Sequence, residues 1–213
     1  MFIKKISPEF QETLETLNIH QPVGSQKKWI SRVKSGMDLI AVGPENSGKT
    51  TAYSIALIQS LKKAVADVPR AMVVCKDKES VFAIKEQFDA LGKHTDLRFH
   101  IGFEGADIQK QKDTIYFGTD VVIGSAKRIT ELMTIEGINF AEIKTLIIDN
   151  AETVMKNTDM TFLHRITSSL PNAQKAIFTT SLSENIDRYN KKYMRHPEQI
   201  ESNEIIPEEN EES

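Results

Sequence analysis

The residues best suited to chemistry lie in one glycine-rich segment. It reads Gly43, Pro44, Glu45, Asn46, Ser47, Gly48, Lys49 and Thr50, and Thr51 follows it. Glycines at its first and sixth positions allow backbone N–H groups to turn inward around phosphate oxygens. In such a loop Lys49 can bridge the β- and γ-phosphates, and the Thr50 hydroxyl is a candidate ligand for Mg²⁺. The segment predicts a site for a nucleoside triphosphate with magnesium.

A carboxylate in the second half of the chain fits the same chemistry. Asp149 directly follows the apolar run Thr145–Ile148, which has strand character. At the end of a strand it could hold Mg²⁺, either directly or through water. Asp is also a good helix cap, and alone that interpretation would be preferred. The glycine-rich loop upstream favours the metal role.

Short apolar runs alternate with amphipathic stretches around these residues. The runs that predict strands are Asp38–Val42, Ala71–Cys75, Leu97–Ile101, Asp120–Ile123, Lys144–Ile148 and Gln174–Thr179. The stretches that predict helices are Thr50–Ala64, Glu79–Leu91, Ser125–Thr134, Asp159–Leu170 and Ser183–Tyr193. This alternation is typical of an α/β domain with a doubly wound, mostly parallel sheet flanked by helices. Ligands of such sheets bind beyond the carboxyl ends of the strands.

The two ends of the chain have a different character. Within residues 1–36, the stretches Ser7–Leu17 and Gln26–Lys34 predict two helices joined by a loop. Residues 201–213 hold six glutamates and no basic residue, which predicts a disordered acidic tail. We favour a solubilising role for the tail. The alternative is an electrostatic mimic of nucleic acid that folds back on a basic face.

Composition sets the broad class. The chain has 213 residues, a net charge of −3 and one cysteine, Cys75, which excludes an internal disulfide. No run approaches the roughly 18 apolar residues that a membrane helix needs, and no signal peptide follows Met1. We expect a single domain over residues 1–200, a cytoplasmic location and no membrane partner.

In order along the chain, these features resemble the first RecA-like domain of the DEAD-box RNA helicases, over about residues 2–200. The loop at 43–50 corresponds to motif I of that family. The other matching segments are Cys75–Glu79 at Pro-Thr-Arg-Glu, Ile101–Phe103 at the glycine pair, Gly124–Arg128 at Gly-Thr-Pro-Gly-Arg, Asp149–Glu152 at Asp-Glu-Ala-Asp and Phe178–Ser181 at Ser-Ala-Thr. The resemblance implies a RecA-like P-loop NTPase fold, ATP and Mg²⁺ as cofactors, and RNA as a partner.

The segment Pro22–Gln26 resembles the Q motif of the same family. The resemblance implies that Gln26 reads the adenine. It also implies an upstream aromatic residue against the adenine ring, for which Phe2 is preferred and Phe10 is the alternative. It therefore favours ATP over GTP.

The resemblance also implies an RNA-binding edge. The candidates for contacts with the RNA backbone are Lys78, Gly102, Ser125, Lys127 and Arg128. For Lys127 and Arg128, ordinary helix-surface charges are an equally good interpretation. A partial site of this kind predicts weak, strongly salt-dependent RNA binding.

Two departures from the family bear on catalysis. Asn150 stands at the position of the catalytic glutamate, beside the catalytic candidates Lys49 and Asp149. A neutral amide cannot accept a proton, and general-base assistance contributes about 10²–10⁴-fold in rate. The chain also holds one RecA-like domain, whereas the family's second domain supplies an arginine finger that contributes about 10³–10⁵-fold. Slow or absent hydrolysis is the expectation, with no unwinding by this chain alone.

A third departure is the residue at the last position of Asp-Glu-Ala-Asp, which is Glu152. In the family, the aspartate at this position bonds to the Ser-Ala-Thr motif. The longer Glu152 is predicted to reach a hydroxyl of Thr179 or Ser181.

Three functions remain open from the sequence. The preferred one is an ATP-binding module that binds RNA weakly. The second is an RNA-dependent ATPase or helicase completed in trans by a protein with a second RecA-like domain. The third, an unrelated P-loop kinase or transferase, gives no role to Pro22–Gln26 or to Ser125–Arg128.

Overall fold

Seven strands form one sheet, and every pairing between neighbouring strands is parallel. The computed structural model describes residues 6–65 and 67–205, apart from the side chains of residues 157 and 158. In these ranges the strands are β1 Leu39–Val42, β2 Ala71–Cys75, β3 Phe99–Gly102, β4 Val121–Ser125, β5 Thr145–Ile148, β6 Gln174–Thr179 and β7 Glu198–Glu201. Their order across the sheet is β3, β4, β2, β5, β6, β1, β7. The predicted doubly wound α/β fold is confirmed.

Helices connect the strands and cover both faces of the sheet. They are α1 Pro8–Thr16, α2 Gln26–Lys34, α3 Lys49–Leu61, α4 Lys78–Gly92, α5 Ile108–Tyr116, α6 Ala126–Thr134, α7 Ala151–Val154, α8 Asn157–Ser168 and α9 Glu184–Tyr193. Five of them begin where a side chain accepts a backbone N–H of the first turn, namely that of Ser7, Asp77, Asp107, Ser125 or Ser183. In the described part of the chain, no helix has the length and apolar character that crossing a bilayer requires.

Buried side chains pack on each side of the sheet. On one side lie the large rings of Trp29, Tyr53 and Phe178, and the ring centroids of Tyr53 and Phe178 are 5.1 Å apart. On the other side Leu163 and Tyr189 pack against the strands. The strands are therefore buried on both faces, as expected for a parallel sheet.

Strand register brings separate sequence segments to one edge. Val42 of β1 pairs with Thr179 of β6, and Ile148 of β5 pairs with Ile177. Because the strands are parallel, the residues that follow β1, β5 and β6 meet at the carboxyl edge of the sheet. This edge holds Gly43 and Asp149.

The segment that contains α2 is hydrogen-bonded to β7, the strand at one edge of the sheet. The indole Nε1 of Trp29 donates a hydrogen bond of 3.2 Å to the carbonyl of Ile200. The Ser25 hydroxyl donates a bond of 3.1 Å to the carbonyl of Glu201. The segment therefore belongs to the same packed unit as the sheet.

Three elements were not predicted from the sequence, namely α5, α7 and β7. Strand β7 has a single buried side chain, that of Ile200, so it lacks an apolar run. The predicted start of the disordered tail at Glu201 is wrong, because Glu201 is in β7 and pairs with Val42. Residues 206–213 lie outside the described residues.

The buried carboxylate of Asp120 is predicted to contribute to the stability of this fold. It is fully buried and accepts bonds from the guanidinium groups of Arg70 and Arg98 and from the backbone N–H of Arg98. We expect Asp120→Asn to lower the free energy of unfolding by about 1–3 kcal/mol, because charge-assisted bonds at a buried site are lost. Urea denaturation measures the change.

The control is Asp89→Asn, which removes a carboxylate that pairs with Lys85 and is 53% exposed. Its expected effect is below about 0.5 kcal/mol. Equal losses for the two variants would contradict the importance assigned to Asp120.

Candidate functional site

The glycine-rich loop between β1 and α3 is tightly wound. Asn46 and Gly48 have φ angles of 57° and 74°. A Cβ atom on Gly43 would lie 2.8 Å from the Ser47 hydroxyl and 3.0 Å from the Trp29 ring, so no side chain fits there. The Ser47 hydroxyl donates to the carbonyl of Pro44 at 2.7 Å. These contacts shape the loop before any ligand binds.

Lys49 is the first residue of α3, and its ammonium group points back into the loop. It donates to the carbonyls of Gly43 at 2.7 Å and Pro44 at 2.5 Å. Burial lowers the pKa of Lys49, and the nearby carboxylates of Asp149 and Glu152 oppose that shift. The ammonium is thus held at the centre of the loop, where a phosphate could compete for its donors.

A cavity of about 490 Å³ opens beside this loop. Its lining residues are Glu45, Asn46, Ser47, Gly48, Lys49, Thr50, Thr51, Gln87, Asp149, Asn150 and Thr180. The structure therefore brings most of the predicted nucleotide-site residues together. Gly43 and Pro44 contribute carbonyls behind the cavity instead.

Gln87 and Thr180 were not predicted to line the cavity. The Gln87 side-chain amide donates to the Thr51 hydroxyl at 2.6 Å, which links α4 to α3. Gln87 belongs to no motif, so its place in the site depends on tertiary packing. Thr180 immediately follows β6, and its position at a strand end was the available signal.

Asp149 follows β5 and is 4% exposed. Among the described residues, no group hydrogen-bonds its Oδ1 atom. Burial raises the pKa of Asp149 to about 7, and the neighbouring Lys49 opposes that shift. A buried carboxylate oxygen without a partner fits a role as ligand of a bound cation.

The residues present fit Mg²⁺ as it binds in nucleotide sites. In the described ranges, no group of three or more His, Cys, Asp or Glu could hold a metal ion by itself. Mg²⁺ usually takes one or two carboxylates together with substrate phosphates and waters. Asp149 and the Thr50 hydroxyl, both lining the cavity, meet that requirement.

Asn150 lines the same cavity in an unusual backbone conformation. Its φ and ψ angles are 51° and 48°, in the left-handed region, and it precedes α7. Asn tolerates this region better than most residues because of its short polar side chain. An amide therefore stands beside Asp149 where the sequence resemblance implied a carboxylate.

Glu152 on α7 ties β5 to the segment after β6. Its carboxylate accepts bonds from the Thr179 hydroxyl at 2.7 Å, the Thr180 hydroxyl at 2.9 Å and the Thr180 N–H at 3.2 Å. Although burial raises the pKa of Glu152, the bonds from Thr179 and Thr180 lower it overall. The predicted contact with Thr179 is confirmed. Ser181 offers its carbonyl to Thr179, and its hydroxyl makes no bond to Glu152.

Gln26 lies near the loop but does not line the cavity. Its amide nitrogen donates to the carbonyl of Gly48 at 3.3 Å, and its oxygen accepts from the N–H of Val23 at 2.8 Å. Phe2 lies outside the described residues. Phe10, the alternative aromatic, is 2% exposed and packs in the core. Recognition of adenine by Gln26 stays a prediction.

Two of the candidates for RNA contacts, Ser125 and Arg128, make hydrogen bonds within the chain. The Ser125 hydroxyl donates to the carboxylate of Glu104 at 2.8 Å. The guanidinium of Arg128 is 6% exposed and donates to the carbonyls of Phe103 and Ala106, both at 2.9 Å. The alternative that Arg128 is an ordinary surface charge is therefore wrong, because loop carbonyls hold its guanidinium inside. A contact between Arg128 and RNA phosphate stays a prediction.

The remaining RNA candidates differ in exposure. Lys78 and Lys127 are exposed, and Gly102 is buried at the end of β3. A Cβ atom on Gly102 would lie 3.0 Å from Leu132 and 3.3 Å from Arg128, so its backbone packs closely against α6. Among the five candidates, the two lysines are the ones that present charge to solvent.

Comparison with known proteins identifies one family. A family model described as DEAD/DEAH box helicase matches residues 24–189. The chain is 25% identical over 199 residues to the ATP-dependent RNA helicase WM6 of Drosophila melanogaster, covering 92% of this chain and 47% of that protein. It is 27% identical over 176 residues to the DEAD-box ATP-dependent RNA helicase CshC of Bacillus cereus, covering 83% and 45%. The chain therefore spans under half the length of these relatives.

Solved structures show the same fold. A DEAD box protein from Methanococcus jannaschii superposes with a TM-score of 0.85 at 19% identity, over 92% of this chain and 54% of that one. The yeast DEAD-box splicing factor Prp28 superposes with a TM-score of 0.86 at 17% identity, over 97% and 52%.

Lys49 provides the test of the nucleotide cavity. We expect Lys49→Ala to weaken ATP binding by about 100-fold, because charge-assisted bonds to the phosphates are lost. Titration with a fluorescent ATP analogue in the presence of Mg²⁺ measures the affinity. The control is Lys63→Ala, an exposed lysine beyond the end of α3. Unchanged affinity in Lys49→Ala would rule out the loop as the phosphate site.

Proposed function

The chain belongs to the DEAD/DEAH box helicase family, and from that premise we propose that it binds ATP with Mg²⁺, hydrolyses it slowly and binds RNA weakly. The observation that carries this proposal is the cavity itself. The phosphate loop and Asp149, whose buried Oδ1 atom has no hydrogen-bond partner among the described residues, line the same cavity as Asn150. Elements for binding are therefore present, while the group expected to activate water is an amide.

Binding is supported by the loop geometry. Backbone N–H groups around Gly48 and the first turn of α3 form a concave site for phosphate oxygens. The Lys49 ammonium adds a point charge, and Thr50 with Asp149 would hold Mg²⁺ against the phosphates. When bound, the metal would neutralise phosphate charge. Loop and metal ligands together favour a triphosphate.

Slow turnover follows from the chemistry of Asn150. An amide can orient a water molecule through a hydrogen bond, but it cannot take the proton of that water. Loss of a general base typically lowers a rate by about 10²–10⁴-fold. Bound ATP would then leave the site mostly as the intact triphosphate rather than as product.

Weak RNA binding is supported by the carboxylate of Glu104. This carboxylate is bonded to Ser125, a position that the family resemblance assigns to RNA phosphate. A negative charge at this point repels a phosphate diester. Arg128 is bonded to loop carbonyls, so it does not offset that charge at the surface.

A second function is supported by the bonds of Glu152. A helicase-type ATPase must link its nucleotide site to its RNA edge, and Glu152 still joins α7 to Thr179 and Thr180. On this alternative, a second RecA-like domain in a partner would complete an RNA-dependent ATPase. RNA-stimulated hydrolysis by the chain alone would disprove the slow-turnover proposal.

Asn150 provides the test of turnover. We expect Asn150→Glu to raise the single-turnover rate of ATP hydrolysis by about 10²-fold if only the general base is lacking. The matched control is Asn150→Gln, because Gln has the same length as Glu but cannot accept a proton. Its hydrolysis rate should equal that of the unmodified chain. Equal rates for both variants would contradict the proposal that the missing base at residue 150 is what limits turnover.

The backbone at residue 150 calls for a stability control. Glu in the left-handed region costs about 1–2 kcal/mol relative to a residue that tolerates it. Both variants should therefore lose similar stability in urea denaturation. The rate comparison is then made between two proteins with the same strain.

Glu104 provides the test of RNA binding. We expect Glu104→Gln to strengthen binding of single-stranded RNA by about fivefold, because the bond to Ser125 can persist while the charge is removed. The control is Glu12→Gln, the same change of charge on the exposed face of α1. Fluorescence anisotropy at several salt concentrations measures both. Equal affinities for the two variants would contradict the repulsion.

A further inference from the structure

Two aromatic side chains meet at the RNA edge of the sheet. Phe82 lies on α4 and is 44% exposed, and Phe103 directly follows Gly102 at the end of β3. Their ring centroids are 4.9 Å apart, with an angle of 57° between the ring planes. Phe103 belongs to the segment Ile101–Phe103 that resembles the glycine pair of the family, of which this chain keeps only Gly102. A glycine offers only backbone, whereas Phe103 offers a ring.

A lysine completes the group. Lys78 is the first residue of α4 and is exposed. Its ammonium lies 5.9 Å from the centroid of Phe82 and 5.2 Å from that of Phe103, within the range of cation–π attraction. In the described part of the chain it takes part in no ion pair within 4.0 Å. Its charge is therefore not cancelled by a bound carboxylate.

The neighbouring polar groups point to stacking rather than phosphate capture. Ser125 is held by Glu104, and Arg128 is held by the carbonyls of Phe103 and Ala106. Ser125 and Arg128 are thus turned inward, whereas Lys127, which also follows β4, is exposed. Besides the Lys127 ammonium, the edge presents to solvent an aromatic surface with the Lys78 ammonium at its rim. Aromatic rings interleaved with basic side chains are typical of proteins that bind single-stranded nucleic acid.

We propose that Phe82 and Phe103 form a stacking platform for an unpaired base of single-stranded RNA, and that Lys78 contacts the phosphate beside that base. The proposal rests on the RNA binding proposed above and names how the same edge achieves it. Every base has an aromatic face, so the platform favours unpaired over paired RNA without reading sequence. It also makes affinity depend on the bases, which contacts to backbone phosphates alone do not.

The experiment compares an RNA oligonucleotide with an abasic oligonucleotide of the same length and charge. Both are titrated into the full chain with Mg²⁺ and a non-hydrolysable ATP analogue, and binding is followed by fluorescence anisotropy. We expect the abasic strand to bind about tenfold more weakly, the loss typical of one stacked base. A 2-aminopurine placed in the intact strand should lose fluorescence on binding, which reports stacking without any mutation.

The variants are Phe82→Leu and the matched control Phe117→Leu. Phe117 is 81% exposed and follows α5 at the opposite end of the strands, so it tests the loss of an exposed ring elsewhere. Phe82→Leu should bind the intact strand about tenfold more weakly and bind both strands equally. Phe117→Leu should behave as the unmodified chain. Thermal unfolding confirms that both variants fold.

The outcomes separate this inference from the proposed function. Equal affinity of the unmodified chain for intact and abasic strands, with binding observed, overturns the platform and leaves RNA binding in place. Binding of neither strand overturns RNA binding itself, and the platform with it. Loss of affinity in Phe117→Leu equal to that in Phe82→Leu also overturns the platform.

Discussion

The parallel register of β1, β5 and β6 is the constraint on which the nucleotide site depends. It brings the carboxyl ends of these strands, at Val42, Ile148 and Thr179, to one edge of the sheet. The glycine-rich loop, Asp149 and Thr180 each follow one of these ends, so no long side chain is needed to bring them together. The core on both faces of the sheet holds this register, since a shift of one residue would move each side chain of a strand to the opposite face and into packing made for another residue. The geometry of the cavity is therefore a consequence of core packing.

Glu152 adds a second link across the same edge. Three hydrogen bonds join its carboxylate to Thr179 and Thr180, and these bonds outweigh burial in lowering its pKa. A glutamate is one methylene longer than the aspartate that the family resemblance places there, and the two consecutive threonines meet the longer side chain. The link between α7 and the end of β6 is thus present, although its residues differ from those that the family resemblance implies. At residue 150 the chain instead places an amide where the resemblance implies a carboxylate.

The sequence was informative wherever a pattern was local. Six strands were predicted within two residues of their ends, because apolar runs between turns depend on short segments. Strand β7 was missed because only Ile200 is buried in it, and its pairing with β1 joins residues far apart in the chain. Partners that are far apart in the chain also explain what was missed among the residues proposed to contact RNA. Arg128 matched a motif, yet its partners are loop carbonyls more than 20 residues away, and no periodicity reports them. Gln87 entered the cavity by tertiary packing alone.

A nucleotide that binds without rapid turnover would stabilise the folded state, as any ligand of the native protein does. The cavity touches the loop after β1, helix α4 through Gln87, Asp149 after β5 and Thr180 after β6. Gln26 bonds to the carbonyl of Gly48, so the N-terminal segment also depends on the shape of the loop. A ligand present at 100 times its dissociation constant stabilises the folded state by about 2.7 kcal/mol. On the proposed function, ATP would therefore hold together segments that are far apart in the chain, from the loop that Gln26 contacts to Thr180 after β6.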